Sequence, residues 1–180
     1  MARWAQTAEE NLAMKSTVTN AMRMLDSRGI PYQALAFSPD IHSATGVAEA
    51  LILPPQRVFK TLVVMPDTPQ RGRPVLAVVP GDAELDLKAL AQAVREKKLR
   101  MATQREAEAM TGLLVGGISA LALLQKRWPV YVDASARDDS WFVVSAGQRG
   151  INLKMAVEDF LGVTQARVAS IARSLSASPE

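Results

Sequence analysis

The residues with the most chemical potential sit in two short segments far apart in the chain. They are Arg57-Val58-Phe59-Lys60-Thr61-Leu62-Val63-Val64 and Thr111-Gly112-Leu113-Leu114-Val115-Gly116-Gly117-Ile118-Ser119. In the first, one lysine interrupts a run that otherwise reads as core strand, and period-two alternation puts Lys60 on the face of Val58, Leu62 and Val64. A cation there costs desolvation unless something anionic meets it. Lys60 is therefore either an anion site on an apolar wall or a strand-end lysine whose stem carries its ammonium out to water. The second segment is either a tight turn or the start of a short helix through Ala120–Leu124. Its glycines let backbone approach a ligand, and N–H groups at a helix start favour an anion or a carbonyl oxygen.

What the chain lacks narrows the chemistry. It has no cysteine, which removes disulfides, thiolate ligands and a thiol nucleophile, and fits a cytoplasmic location. His42 is the single histidine, so a multi-histidine metal site is excluded and no metal or other cofactor is expected. A Ser-His-Asp triad would have to use His42 as base, but Pro39-Asp-Ile-His-Ser-Ala-Thr-Gly46 reads as a loop, where an exposed or cap-proximal histidine is the simpler reading. The net charge of +3 permits nucleic-acid binding without arguing for it. Arg95-Glu-Lys97-Lys98-Leu-Arg100 and Lys126-Arg127 are denser runs, readable as solvated helix ends or as a patch that follows phosphates. No stretch is apolar enough to span a bilayer, and residues 1–14 carry Glu9 and Glu10 with no apolar region of a secretory signal.

These residues must be positioned by interspersed helices and strands. A helix is expected from Thr17, capped by Ser16 or Thr17 and stopped at Gly29, with Val18, Ala21, Met22 and Leu25 on one face. A strand follows over Tyr32–Phe37, then a short helix over Ser43–Leu51 ended by Pro54-Pro55. Arg57–Met65 and Pro74–Val79 read as strands joined by a hairpin-like loop. Asp86 opens a helix, Leu99–Ala102 makes a brief strand, and Thr103 with Glu106 forms a capping-box pattern leading a helix that stops at Gly112. Val130–Asp133 and Ser140–Ser145 are strands, and Ser145-Ala-Gly147-Gln-Arg-Gly150 reads as a strand-to-helix turn. Asn152 and Thr164 are expected to cap two C-terminal helices, one through Leu153, Ala156, Val157 and Phe160, the other through Val168 and Ile171. The expected organisation is an extension over 1–14, one domain over 15–173 and a disordered tail over 174–180. Without strict βα alternation, the class is α+β: a mixed sheet surrounded by helices.

The Val58-Phe59-Lys60-Thr61-Leu62 and Gly116-Gly117-Ile118-Ser119 segments, with Ser145-Ala-Gly147-Gln-Arg149-Gly150, resemble the signature of the YbaK/EbsC family over about Lys15 to Arg173. That family shares its fold with the inserted editing domain of bacterial prolyl-tRNA synthetases. The resemblance implies a curved sheet partly closed into a barrel, and a pocket for the aminoacyl end of tRNA. It implies catalytic roles for Lys60, Gly117 and Ser119, and substrate contacts from Gly116, Ile118, Ala120, Asp133, Ser145 and Gly147. Two departures stand out. Ala120 occupies the place of the family's proline, and Phe37 lies where some relatives carry tyrosine, so no hydroxyl role passes to it.

The implied activity is trans-editing: hydrolysis of the ester of mischarged aminoacyl-tRNA, Cys-tRNA(Pro) first and Ala- or Ser-tRNA behind it, with prolyl-tRNA synthetase as a further partner. Lacking a triad, thiol or metal, such a site must rely on positioning and oxyanion stabilisation, with acid–base help from the substrate. An aminoacyl ester is reactive enough for this, whereas a peptide bond is much harder. The rival reading is a module that binds a tRNA acceptor end or an effector without turnover while docked on a synthetase.

Overall fold

The computed structural model describes residues 17–67 and 72–175. The expected N-terminal extension, part of the loop after Pro66 and the last five residues of the expected tail lie outside that span.

Local signals set most of the elements. Helix α1 (Asn20–Ser27) starts one turn later than expected, because Thr19 caps it by accepting the Met22 N–H at 3.2 Å. Ala21, Met22 and Leu25 are buried as expected, while Val18 stays outside the helix and exposed. Strand β1 (Tyr32–Ala36) leads to α2 (Ala44–Ala50), capped by Ser43. Strands β2 (Phe59–Pro66), β3 (Val75–Pro80) and β4 (Ala83–Leu85) precede α3 (Leu87–Val94), where Asp86 accepts two backbone N–H groups. Strand β5 (Leu99–Met101) and α4 (Gln104–Thr111) follow, the latter with its full capping box and Gly112 as left-handed stop at φ 72°. A 3-10 helix (Leu121–Lys126) leads to β6 (Val130–Asp133) and β7 (Trp141–Gln148).

Beyond β7 the chain departs from expectation. Ser145–Gly150 turns a hairpin, not a strand into a helix. Strand β8 (Ile151–Ala156) runs back antiparallel to β7 and also pairs with β1. A register shift between Ser145 and Gln148 bulges the strand at Gly147, whose φ is 91°. Only then does α5 (Val157–Thr164) begin, so Asn152 caps nothing. Thr164 closes that helix, its hydroxyl donating to the Phe160 carbonyl at 2.6 Å. The expected last helix is two short strands, β9 (Arg167–Ala169) and β10 (Ala172–Ser174). Ser174, expected in the tail, pairs with Ala83.

The strands form three sheets, ordered β1-β8-β7, β10-β4 and β5-β2-β3-β6-β9. The largest is mixed, with β3, β6 and β9 parallel and the other pairings antiparallel. Its core against the three-stranded sheet centres on Phe142, edge-on to Phe59 and Phe160 at centroid distances of 5.1 and 5.0 Å. Its other face packs Val64, Val79, Tyr131 and Ile171 under Leu90 of α3.

The expectation of a partly closed barrel is not met, because no sheet closes. Strand β5 pairs with residues 64–66 of β2 and the Ala102 N–H just beyond it reaches the Val63 carbonyl at 3.0 Å, so among the described residues no strand is registered on that side along Phe59–Leu62. Among the described residues, one isolated bridge, Val58 to Val143, links the two larger sheets. The uncovered start of β2 is where a cavity opens.

Candidate functional site

Lys60 stands on this uncovered half of β2. Its Nζ donates to the carbonyls of Ala83, the first residue of β4, at 2.7 Å and of Gly81, in the turn before it, at 3.4 Å. Two of the ammonium's three donors are thus engaged by neutral acceptors, and its neighbours form one wall of a cavity of about 480 Å³. Burial pushes Lys60 below the ordinary lysine value, against the opposing pull of the Glu84 and Asp82 carboxylates. Among the described residues no carboxylate lines the cavity, and Lys60 and His42 are its only ionisable lining residues. The field inside favours a negative or polar oxygen-rich guest.

The glycine segment lines the same cavity as Lys60, and it is held by two interactions at Val115, one at Leu113 and one at the start of the helix before it. The Arg100 guanidinium binds both oxygens of Glu106, each at 2.8 Å, fixing the start of α4. At the helix's far end Thr111 accepts the Leu113 N–H, and Glu108 accepts the Val115 N–H at 3.0 Å. Arg149, from the β7–β8 turn, donates through Nε to the Val115 carbonyl at 2.7 Å. Gly116, at φ 93°, adopts a backbone that glycine favours. A Cβ on Gly117 would lie 2.8 Å from the Arg149 backbone nitrogen, so this glycine is required by close approach of two backbones. The Gly117 N–H is consumed by Leu114 O at 2.8 Å. Among the described residues, the amides of Gly116 and Ile118 have no such partner, and both residues line the cavity.

The third wall comes from the hairpin that sequence did not foresee. Ser145 and Asn152 face each other across β7 and β8 and both line the cavity. Ser145 Oγ accepts the Gly147 N–H at 3.2 Å. Asn152 is buried, and among the described residues its side-chain amide has no partner, which leaves it for a guest. His42 sits exposed at the rim and binds the Pro39 carbonyl through Nε2 at 3.1 Å. Since a carbonyl only accepts, that nitrogen carries the proton and Nδ1 is the free one. Ser43, Thr45 and Gln104 add neutral polar lining.

Of the residues expected at the site, Lys60, Gly116, Ile118 and Ser145 line this one cavity. Gly117, Ser119, Ala120, Asp133 and Gly147 do not. Asp133 has its carboxylate occupied by the amides of Ser135, Ile171 and Ala172 and by the Ser135 hydroxyl. Burial disfavours its charge, yet these bonds outweigh that and hold it below the ordinary carboxylate value. Ser119 is buried, and its Oγ has no partner among the described residues. Gly147 is needed because a Cβ there would meet that of Ala122 at 2.8 Å. Ala120 is buried at the start of the Leu121–Lys126 helix. Sequence reasoning missed Asn152, Gln104 and Thr45, which converge only through tertiary pairing.

The model of the aminoacyl-tRNA editing domain matches residues 38–163, a span containing every wall of the cavity except Leu175. The chain belongs to the aminoacyl-tRNA editing domain family. An Enterococcus faecalis protein named "Putative Cys-tRNA(Pro)/Cys-tRNA(Cys) deacylase EbsC" is 41% identical over 155 residues, covering 85% of this chain and 92% of that one. A proline–tRNA ligase of Nitratidesulfovibrio vulgaris is 30% identical over 117 residues, 65% of this chain but 20% of the ligase. The chain therefore spans about one fifth of that ligase. A solved structure described as "a putative trans-editing enzyme for prolyl tRNA synthetase" superposes with TM-score 0.73 at 20% identity, covering 94% of this chain and all of that one, a likeness of fold. Within the editing-domain family, the cavity's described lining offers one lysine, one histidine and otherwise uncharged donors and acceptors. No helix among the described residues is long and apolar enough to cross a membrane.

Proposed function

We propose that the protein is a trans-editing deacylase that hydrolyses the ester of mischarged aminoacyl-tRNA, with Cys-tRNA(Pro) as leading substrate and Ala- and Ser-tRNA behind it. The observation that carries this reading is one cavity lined by Lys60 and by Gly116 and Ile118, whose amides have no partner among the described residues, inside a chain of the editing-domain family. Its volume of about 480 Å³ suits a small aminoacyl group with part of its terminal nucleotide. In the proposed reaction Lys60 holds a phosphate or ribose oxygen of the acceptor end. The Gly116 and Ile118 amides accept the charge that develops on the ester oxygen as water adds, and the ribose oxygen leaves with the proton. Gly117 and Ser119 act by holding that loop in place, since the Gly117 N–H is already committed. Asn152 and Ser145 contact the aminoacyl moiety. Ala120 lies outside the cavity, so its effect on selectivity runs through Ile118. Proton transfer falls to groups on the substrate, there being no carboxylate among the described lining residues. Residues 15–173 act as one functional unit, and prolyl-tRNA synthetase is the proposed docking partner.

The test is release of free tRNA from a panel of mischarged tRNAs, cysteine, alanine and serine on proline tRNA among them. Multiple turnovers on Cys-tRNA(Pro) support the reading. Tight binding with no turnover on any member would replace it with the acceptor-end binding module.

A further inference from the structure

A second cavity of about 560 Å³ lies between the Leu121–Lys126 helix, β6 and the end of α5. Its lining contains three arginines, Arg28, Arg127 and Arg167, with Trp128 and Tyr131, and among the described residues no acidic side chain. Arg28 and Arg127 make no ion pair or side-chain hydrogen bond among the described residues, and Arg167 donates only to the Tyr131 hydroxyl, at 3.2 Å. The Lys126 ammonium lies 5.8 Å from the Trp128 ring centre.

A structural duty for these arginines would be to neutralise helix C-termini, because α1, α3, α5 and the Leu121–Lys126 helix all end here. Backbone amides already do that. Ile30 N–H donates to Leu25 O, Glu96 N–H to Ala91 O, Ala166 N–H to Leu161 O and Arg127 N–H to Leu124 O. The guanidiniums are left as surplus charge, and each helix end opposes them with about half a unit charge at most.

We propose that this cavity binds phosphate groups of an RNA backbone, with Trp128 offering a face to a nearby base. Guanidiniums match phosphate geometry and an adjacent aromatic favours a nucleotide over a bare anion. The inference rests on the deacylase reading in one respect: the RNA is the same tRNA whose end enters the first cavity. The Leu121–Lys126 helix spans about 12 Å at its usual rise, so Arg127 lies a few nucleotides from the glycine loop. Recognition then extends past the acceptor end.

The experiment measures the affinity of uncharged proline tRNA, between about 50 and 200 mM salt. It compares the parent with Arg127→Ala/Arg167→Ala and with Arg127→Lys/Arg167→Lys. The alanine pair is expected to bind about 10-fold or more weakly and to lower the log–log salt slope by about 1.4–1.8, with the lysine pair recovering most of both. The turnover rate at saturating Cys-tRNA(Pro) should stay at the parent value. Unchanged affinity and slope overturn the proposal, as does weaker binding with an unchanged slope. Loss of inorganic phosphate binding in the alanine pair without any effect on tRNA also overturns it, assigning the cavity to a free anion. Because uncharged tRNA is the probe, failure of the parent to deacylate anything defeats the deacylase reading and leaves this measurement standing.

Discussion

Lys60 is the residue whose removal has the most calculable effect. At a separation of about 4 Å and an effective dielectric near 20, an ammonium and a phosphate attract by about 4 kcal/mol. Lys60 is half-buried, so solvent screening reduces the usable part to about 2 kcal/mol at the lower bound. At about 1.4 kcal/mol per decade, Lys60→Met should lower kcat/KM for Cys-tRNA(Pro) by between about 30-fold and 1,000-fold. Methionine keeps the length of the stem. It relieves the burial of a charge but leaves the carbonyls of Gly81 and Ala83 without their donor, two effects of about 1 kcal/mol each and opposite sign. The melting temperature should therefore move by only a few degrees. Lys60→Arg should also be poor, because a planar fork cannot fit two carbonyls placed for a compact ammonium. Steady-state deacylation beside thermal unfolding checks both halves. A folded Lys60→Met protein with kcat/KM within about threefold of the parent would refute the electrostatic reasoning.

Other expectations follow from the same geometry. As pH rises, acceptor-end binding should weaken below the ordinary lysine value of 10.5, because burial lowers the folded pKa of Lys60 and the ammonium is the binding form. Titrating the affinity of uncharged tRNA checks this, and Lys60→Met should be flat over the same range. Glu106 is pushed down to about 2 by Arg100 and then by the Thr103 N–H, from an ordinary 4.5. Its contribution to stability is therefore complete above about 4.5 and lost as pH falls towards 2, so urea midpoints of Glu106→Gln should converge on the parent's across that window. Gly117→Ala should destabilise by about 1–3 kcal/mol and abolish most activity, because its Cβ meets backbone that cannot swing away. Asn152→Ala should cost about 1 kcal/mol of transition-state binding, roughly fivefold in kcat/KM, with little change in affinity for uncharged tRNA.

Capped helices were legible because their signals are local. Ser43, Asp86 and the Thr103–Glu106 box each bond to backbone within three residues, and each begins a helix as read. The C-terminal third was misread because Leu153, Ala156, Val157 and Phe160 satisfy a helical period, while Leu153 and Met155 equally satisfy a strand. Pairing with β7 and β1 on both sides decides between them, and that information is not local. The same is true of β10, whose partner β4 is far away in sequence. At the site, Lys60 and the Gly116–Ile118 backbone were visible as motifs. Asn152 was not, because it reaches the cavity only through its register opposite Ser145.

The central claim is catalysis, not binding, and counting turnovers tests it most directly. Cys-tRNA(Pro) in tenfold excess over the protein, with deacylated tRNA measured against time and against a protein-free control, separates the two. Linear release well beyond one equivalent, abolished or nearly so in Lys60→Met, is the predicted result. Release that stops at one equivalent, or that follows the control while the tRNA is demonstrably bound, would contradict it.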